Sequence, residues 1–192
     1  MLLNEAILYN ALQEVESKTS LLESYSGVPS EFEHYDLFIS HSYKDKEHIL
    51  ALRHFFKRAG LSVYIDWIDD SALDRTNVTP ATAKLIKKRL EQCRGLAYVD
   101  SYNIPASKWC PWELGIADGL LGKVCILPIT QLETFEYRER EYLGLYPYLE
   151  MGRDNRQLRI SSQSNSSLTN LLNSYTPLRT WLYGEDWEGG RR

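Results

Sequence analysis

Residues 107 to 114 read Ser-Lys-Trp-Cys-Pro-Trp-Glu-Leu. Trp109 and Glu113 are four apart, so on a helix they share one face. An aromatic plate beside a carboxylate suits a sugar or a nucleotide. The apolar run Gly95 to Val99 precedes the motif and reads as a buried strand. The pair therefore stands at the carboxyl end of a strand, where open α/β sheets bind ligands. Taken singly, most Glu residues on helices are solvated and most Trp residues anchor cores. The weight of the motif comes from what accompanies it.

Three further segments converge on the same edge: the loop His41 to Lys44, the segment Asp66 to Asp70, and the loop Ser101 to Ala106. Each carries a residue with two open roles. His41 is either a base or a loop residue bonded to backbone. Asp66 either contacts a ligand or caps the next turn. Trp67 either stacks on a base or lids the core. No GxGxxG, GxxxxGK[ST] or GxSxG occurs. That weighs against a Rossmann or P-loop phosphate cradle and against an α/β-hydrolase.

The elements that must position these groups are legible as alternating strands and helices. Residues 4 to 24 read as a helix, with Leu3, Ile7, Ala11 and Val15 on one stripe, Leu8 and Leu12 beside it, and Asn4 as its cap. Ser26 to Ser30 breaks the pattern as a linker, and the helix is expected to pack on its own domain. Tyr35 to Ser40 reads as a central parallel strand. A helix bearing Ile49, Leu52, Phe56 and Ala59 follows and stops at Gly60. Leu61 to Asp66 is a second strand, and Asp69 to Thr79 is a long polar loop. Thr79 and Pro80 look like an N-cap and first helical position. The helix from Pro80 is expected to bury Leu85, Ile86, Leu90 and Cys93, with Lys84, Lys87, Lys88 and Arg89 on its wet face.

Gly95 to Ser101 is a third strand, the helix with Glu113 starts near Ser107 and ends at Gly122, and Lys123 to Thr130 is a fourth strand. Strands alternating with helices across short connections demand parallel pairing and right-handed crossovers. The fold class is α/β, a flavodoxin-like open parallel sheet with helices on both faces. Beyond Thr130, Tyr142 to Glu150 reads as a short helix or edge strand and Leu158 to Ile160 as a last strand. Ser161 to Ser167 is a polar loop and Leu168 to Leu182 a closing helix, before a frayed tail. The domains are 1–30, helix and linker; 31–183, the α/β domain; and 184–192, the tail.

Bulk properties narrow the classes. The chain has 192 residues and net charge −4, which argues against a general electrostatic grip on nucleic acid or anionic membrane. Its three cysteines, Cys93, Cys110 and Cys125, form no CxxC pair. Neither a metal site nor a disulfide framework is expected, and buried thiols in a reducing cytoplasm are the default. No signal peptide and no apolar run of membrane-spanning length is read.

Four segments together resemble the Toll/interleukin-1 receptor (TIR) domain family. Tyr35-Asp36-Leu37-Phe38-Ile39-Ser40-His41-Ser42 resembles the family's opening strand. Val63-Tyr64-Ile65-Asp66 resembles its second strand, and Asp69 to Thr79 falls where its BB loop lies. Ser107 to Leu114 resembles its Ser-x-Trp-Cys-x-x-Glu-Leu helix. Order and spacing agree over about residues 33 to 130.

The resemblance implies an enzyme of the bacterial NAD-cleaving branch. Glu113 falls at the catalytic Glu of that branch, and Trp109 would wall the site from water. Ser40, His41 and Ser42 match pocket-lining positions, and Asp66 and Trp67 fall on the nicotinamide side. Some relatives carry Arg where Ser42 stands. NAD+ is implied as substrate, with no separate cofactor. The implied reaction breaks the nicotinamide–ribose bond and gives ADP-ribose, a cyclic form or a conjugate, as a signal in Thoeris-like antiphage defence. The implied partners are further copies of the chain through TIR–TIR contacts, an upstream phage trigger and a downstream effector sensing the product. Two other readings stay open: a non-catalytic TIR–TIR adaptor, and a nucleoside deoxyribosyltransferase-like enzyme.

Overall fold

A computed structural model describes residues 2–13, 33–70, 79–131, 141–152, 157–161 and 175–184. Its centre is β2 (Tyr35–Ser40), buried along its whole length. On one side β2 pairs in parallel with β3 (Val63–Tyr64), on the other with β4 (Cys93–Asp100). Then follow β5 (Val124–Thr130), β6 (Tyr148–Met151), β7 (Leu158–Ser161) and β8 (Tyr175–Pro177), in the order β3-β2-β4-β5-β6-β7-β8. Chain direction across the sheet reverses between β2 and β4, so the crevice at their carboxyl ends is the topological switch point.

Alternation within β2 assigns the two faces. Leu37 and Ile39 point to a core shared with α1 (Glu5–Gln13), α2 (Lys46–Arg58) and α6 (Leu178–Tyr183). Phe38 points to a second core with Ile86 and Leu90 of α4 (Pro80–Glu91) and Cys110 and Leu114 of α5 (Trp109–Leu121). Helices thus cover both faces, as expected. Thr79 caps α4 by accepting from the Thr82 amide at 3.1 Å. Gly122 closes α5 in the left-handed region at φ 59°, a conformation that suits glycine.

Several details differ from the sequence reading. A two-residue strand, β1 (Leu3–Asn4), opens the chain and pairs in parallel with Ile129 and Thr130. Asn4 caps α1 by accepting from the Ile7 amide at 2.9 Å. The helix buries Leu8, Ala11 and Leu12, while Ile7 is only partly buried. The second strand keeps two of its six expected residues. The Asp69 carboxylate accepts the Ile65 amide at 2.6 Å, which diverts the chain from the ladder into a single helical turn, α3 (Asp66–Asp69). Cys93 begins β4 instead of ending a helix.

The predicted wet face of α4 loses one member. Arg89 is buried, in a bidentate pair with Asp70 at 2.6 and 2.9 Å and bonded to Gln92 at 2.8 Å. Tyr142 to Glu150 divides into a 3-10 turn (Glu141–Leu145) and β6, which lies inside the sheet. β6–β7 and β7–β8 pair antiparallel. Of the expected closing helix, residues 175 to 177 are β8 and the helix starts at Leu178. Pro177 biases its predecessor toward extended backbone and lacks an amide proton, so it marks that boundary. The rest of the first helix, the linker at 26–30, most of the 69–79 loop, the 162–167 loop, the start of the closing helix and the tail beyond Gly184 lie outside the described residues.

Candidate functional site

The carboxyl ends of β2 and β4 bring Glu113 and Ser40 together. Ser40 follows Phe38 on the α5 face of β2, so its hydroxyl meets the second turn of α5. Ser40 Oγ donates to Glu113 Oε2 at 2.7 Å, and both residues are 0 % exposed. Taking a carboxylate out of water is costly, and a directed hydroxyl offsets part of that cost. The start of α5 is fixed separately. Ser107 Oγ accepts the Cys110 amide at 3.3 Å and donates to Cys110 Sγ at 3.0 Å, and the Cys110 thiol donates to the His41 carbonyl at 3.1 Å. Helix and loop are thereby tied in register, with Glu113 one turn further along.

His41, Trp67 and Asp66 form the second group. His41 Nδ1 donates to the Ile39 carbonyl at 2.8 Å, and Trp67 Nε1 donates to His41 Nε2 at 3.0 Å. The two bonds define the tautomer with the proton on Nδ1. Asp66 Oδ1 stands 3.7 Å from Nε2, beyond hydrogen-bond reach. A ring engaged at both nitrogens is a wall and not a free base. Of the two roles open to His41, the geometry takes the backbone-bonded one.

The remaining expected residues turn elsewhere. Ser42 Oγ accepts the Lys44 amide at 3.4 Å and caps the 3-10 turn Tyr43–Asp45. Trp109 is half-buried and packs edge-on against Trp112, ring centroids 5.4 Å apart. A cleft of about 490 Å³ opens at the same edge, lined by Tyr98, Asp100, Ile104, Pro105, Ser107, Pro111, Tyr142 and Leu143. Its lining includes none of the seven expected site residues. Glu113 is sealed from it.

Sequence reasoning missed the tie across the switch point. Asp45 accepts from Ser101 Oγ and from Asn103 Nδ2, each at 2.5 Å, joining the loop after β2 to the loop after β4. An Asp five residues past a strand gives no periodic signal; only the Ser-x-Asn turn chemistry at 101–103 pointed there. Burial pushes the Cys93 and Cys125 thiols well above the usual thiol range, so they fill space and do not act as nucleophiles.

Fold and site define an open α/β domain with a sealed acid beside its switch point. No family model matches the chain. It is 40% identical over 149 residues to a protein of Bacillus cereus (strain MSX-D12) named as the 3′ cyclic ADP-D-ribose synthase ThsB′, covering 77% of this chain and 75% of that protein. It is 41% identical over 81 residues to a protein of Cytobacillus dafuensis named as the cyclic ADP-D-ribose synthase TIR2, covering 42% of this chain and 21% of that protein. The TIR domain of the Toll-related receptor TRR-2 from Hydra magnipapillata shows 23% identity, a TM-score of 0.41 and coverage of 56% of this chain and 76% of that one, a likeness too loose to carry argument. The chain belongs to the TIR family, in the bacterial branch that contains ThsB′.

Proposed function

We propose that this chain cleaves NAD+ at the nicotinamide–ribose bond and closes the ADP-ribosyl product into a cyclic form. The observation that carries the reading is the buried Ser40–Glu113 pair at the carboxyl edge of β2. In the reaction the C1′–N bond breaks and its electron pair leaves with nicotinamide. The cationic pyridinium departs neutral, so no strong general acid is needed. The ribose becomes oxocarbenium-like, and a carboxylate beside it stabilises the positive charge, as in glycoside hydrolysis. Ser40 fixes the carboxylate's rotamer before substrate arrives. An atom of the same dinucleotide then captures the cation. The names of the two relatives support internal capture over capture by water. By analogy we place the product as a signal in antiphage defence, with a phage trigger upstream and a product-sensing effector downstream.

One observation favours a second reading. Glu113 is fully sealed, as a structural acid in a non-catalytic adaptor would be. Nicotinamide release from NAD+ by concentrated protein, with Glu113→Gln alongside and the nucleotide product weighed by mass spectrometry, separates the two. Catalysis predicts turnover in the parent and a loss of at least about a hundredfold in the variant, the scale of a lost charge-stabilising group. No turnover in the assembled parent, with only a change of melting temperature in the variant, supports the adaptor.

A further inference from the structure

The carboxyl edge is rich in acid. Asp45, Asp66, Asp100 and Glu113 are all buried there. A dinucleotide brings an anionic diphosphate to this edge, so the site needs a cation. Lys44, Lys46 and Lys108 are the lysines nearest the assembled groups in sequence. Lys44 and Lys108 are exposed, whereas Lys46 is partly buried and held. Its ammonium lies 3.8 Å from the ring centroid of Tyr43 and 5.2 Å from that of Trp67, and donates to the Tyr43 hydroxyl at 2.5 Å.

Three features of Lys46 are unusual for a surface lysine. Among the described residues no carboxylate stands within ion-pair distance of it. It occupies the first position of α2, the end of a helix where the backbone dipole disfavours a cation. Yet two aromatic faces hold it, and one of them, Trp67, is the ring bonded to His41. Aromatic faces attract an ammonium without neutralising it and leave N–H donors free. A local rule is broken where the site is, the pattern expected of a functional group.

We propose that Lys46, held over Tyr43 and Trp67, is the cation that binds the diphosphate of the dinucleotide. The inference rests on the NAD+ reading above. Lysine serves as a point charge for phosphate, with no fixed fork to orient.

The test is Lys46→Gln, with Lys44→Gln and Lys108→Gln as comparators. Calorimetric titration with ADP-ribose and with nicotinamide riboside, which has no phosphate, is paired with NAD+ kinetics. Lys46→Gln is expected to weaken ADP-ribose binding about tenfold, or ~1.4 kcal/mol. It should raise KM for NAD+ by a similar factor with kcat within about twofold, the signature of lost uniform binding. Nicotinamide riboside binding should be unchanged, and the parent's affinity for ADP-ribose should fall with added salt more steeply than the variant's. Equal affinity of parent and variant for ADP-ribose overturns the proposal. So does an equal loss for nicotinamide riboside, which would mean that Lys46 acts only by packing Trp67. A parent that binds ADP-ribose but releases no nicotinamide unseats the enzymatic reading and leaves the Lys46 result standing. A parent that binds no ADP-ribose overturns both.

Discussion

Ser40 has one chemical task that its neighbours cannot take over: its hydroxyl reaches the Glu113 carboxylate from the strand opposite the helix. A hydrogen bond to a charged group contributes about 1.5–3 kcal/mol. If that energy goes into aiming the carboxylate at a developing cation, Ser40→Ala lowers kcat about ten- to a hundredfold. KM should stay within about threefold, because the hydroxyl is turned to Glu113 and away from substrate. Steady-state kinetics with a melting curve decide it; a change in KM alone would show that Ser40 binds and does not position. Glu113, Ser40, His41, Trp67 and Trp109 could be named as candidates from the sequence because each belongs to a segment of recognisable order. The His41–Trp67 bond was not, since nothing in the spacing of residues 41 and 67 says that a side chain at the end of β2 meets the turn after β3. Asp45 was invisible for the same reason.

At the scale of elements, the segment leaving the unexpected turn at α3 is held from both sides of the sheet. Asp69 pairs with Arg53 of α2 at 2.9 Å, and Asp70 with Arg89 of α4 while accepting from the Tyr64 hydroxyl at 2.7 Å. Burial raises the Tyr64 phenol, and its bond to Asp70 pushes the same way, so the hydroxyl stays a donor. The hydrogen bonds that Arg89 donates to Asp70 are the chief cause holding its guanidinium above its ordinary range. Breaking a buried pair by removing one partner costs about 3–5 kcal/mol. At roughly 2–4 °C per kcal/mol for a domain of this size, Arg89→Met should lower the melting temperature by about 6–20 °C. Adding Asp70→Asn should recover part of that loss; if the two losses simply add, the pair is not coupled. Periodicity found α4 and its buried Ile86 and Leu90, but it counted Arg89 with the lysines because a helical pattern does not show a partner on another element. The same limit hid the antiparallel end of the sheet: the segment of β6 read as a short helix or an edge strand and that of β7 as a strand, and their direction depends on a connection that carries no periodic signal.

At the scale of the whole molecule, Tyr43, Tyr102 and Tyr142 stand 64, 79 and 43 % exposed, on segments that follow β2, β4 and β5. Tyrosines of this kind give large contact area at small entropic cost and are enriched where proteins meet. No helix among the described residues is long and apolar enough to cross a membrane. We expect the specific rate of nicotinamide release to rise with protein concentration, tracking the associated fraction in sedimentation, as the TIR–TIR contacts that the family resemblance implies would require. Equal turnover by dilute monomer and assembled protein would sink that expectation. The manner of association is constrained by how the sheet ends. Among the described residues the strands at the sheet's ends are β3 and β1, with two residues each, and β8, with three, the last of them Pro177. A neighbouring chain that tried to extend the ladder would find two or three rungs, one of them lacking a donor, and little to hold it. The margins thus act as stops against fibrillar growth: in any association of copies of this protein, the sheets would remain separate.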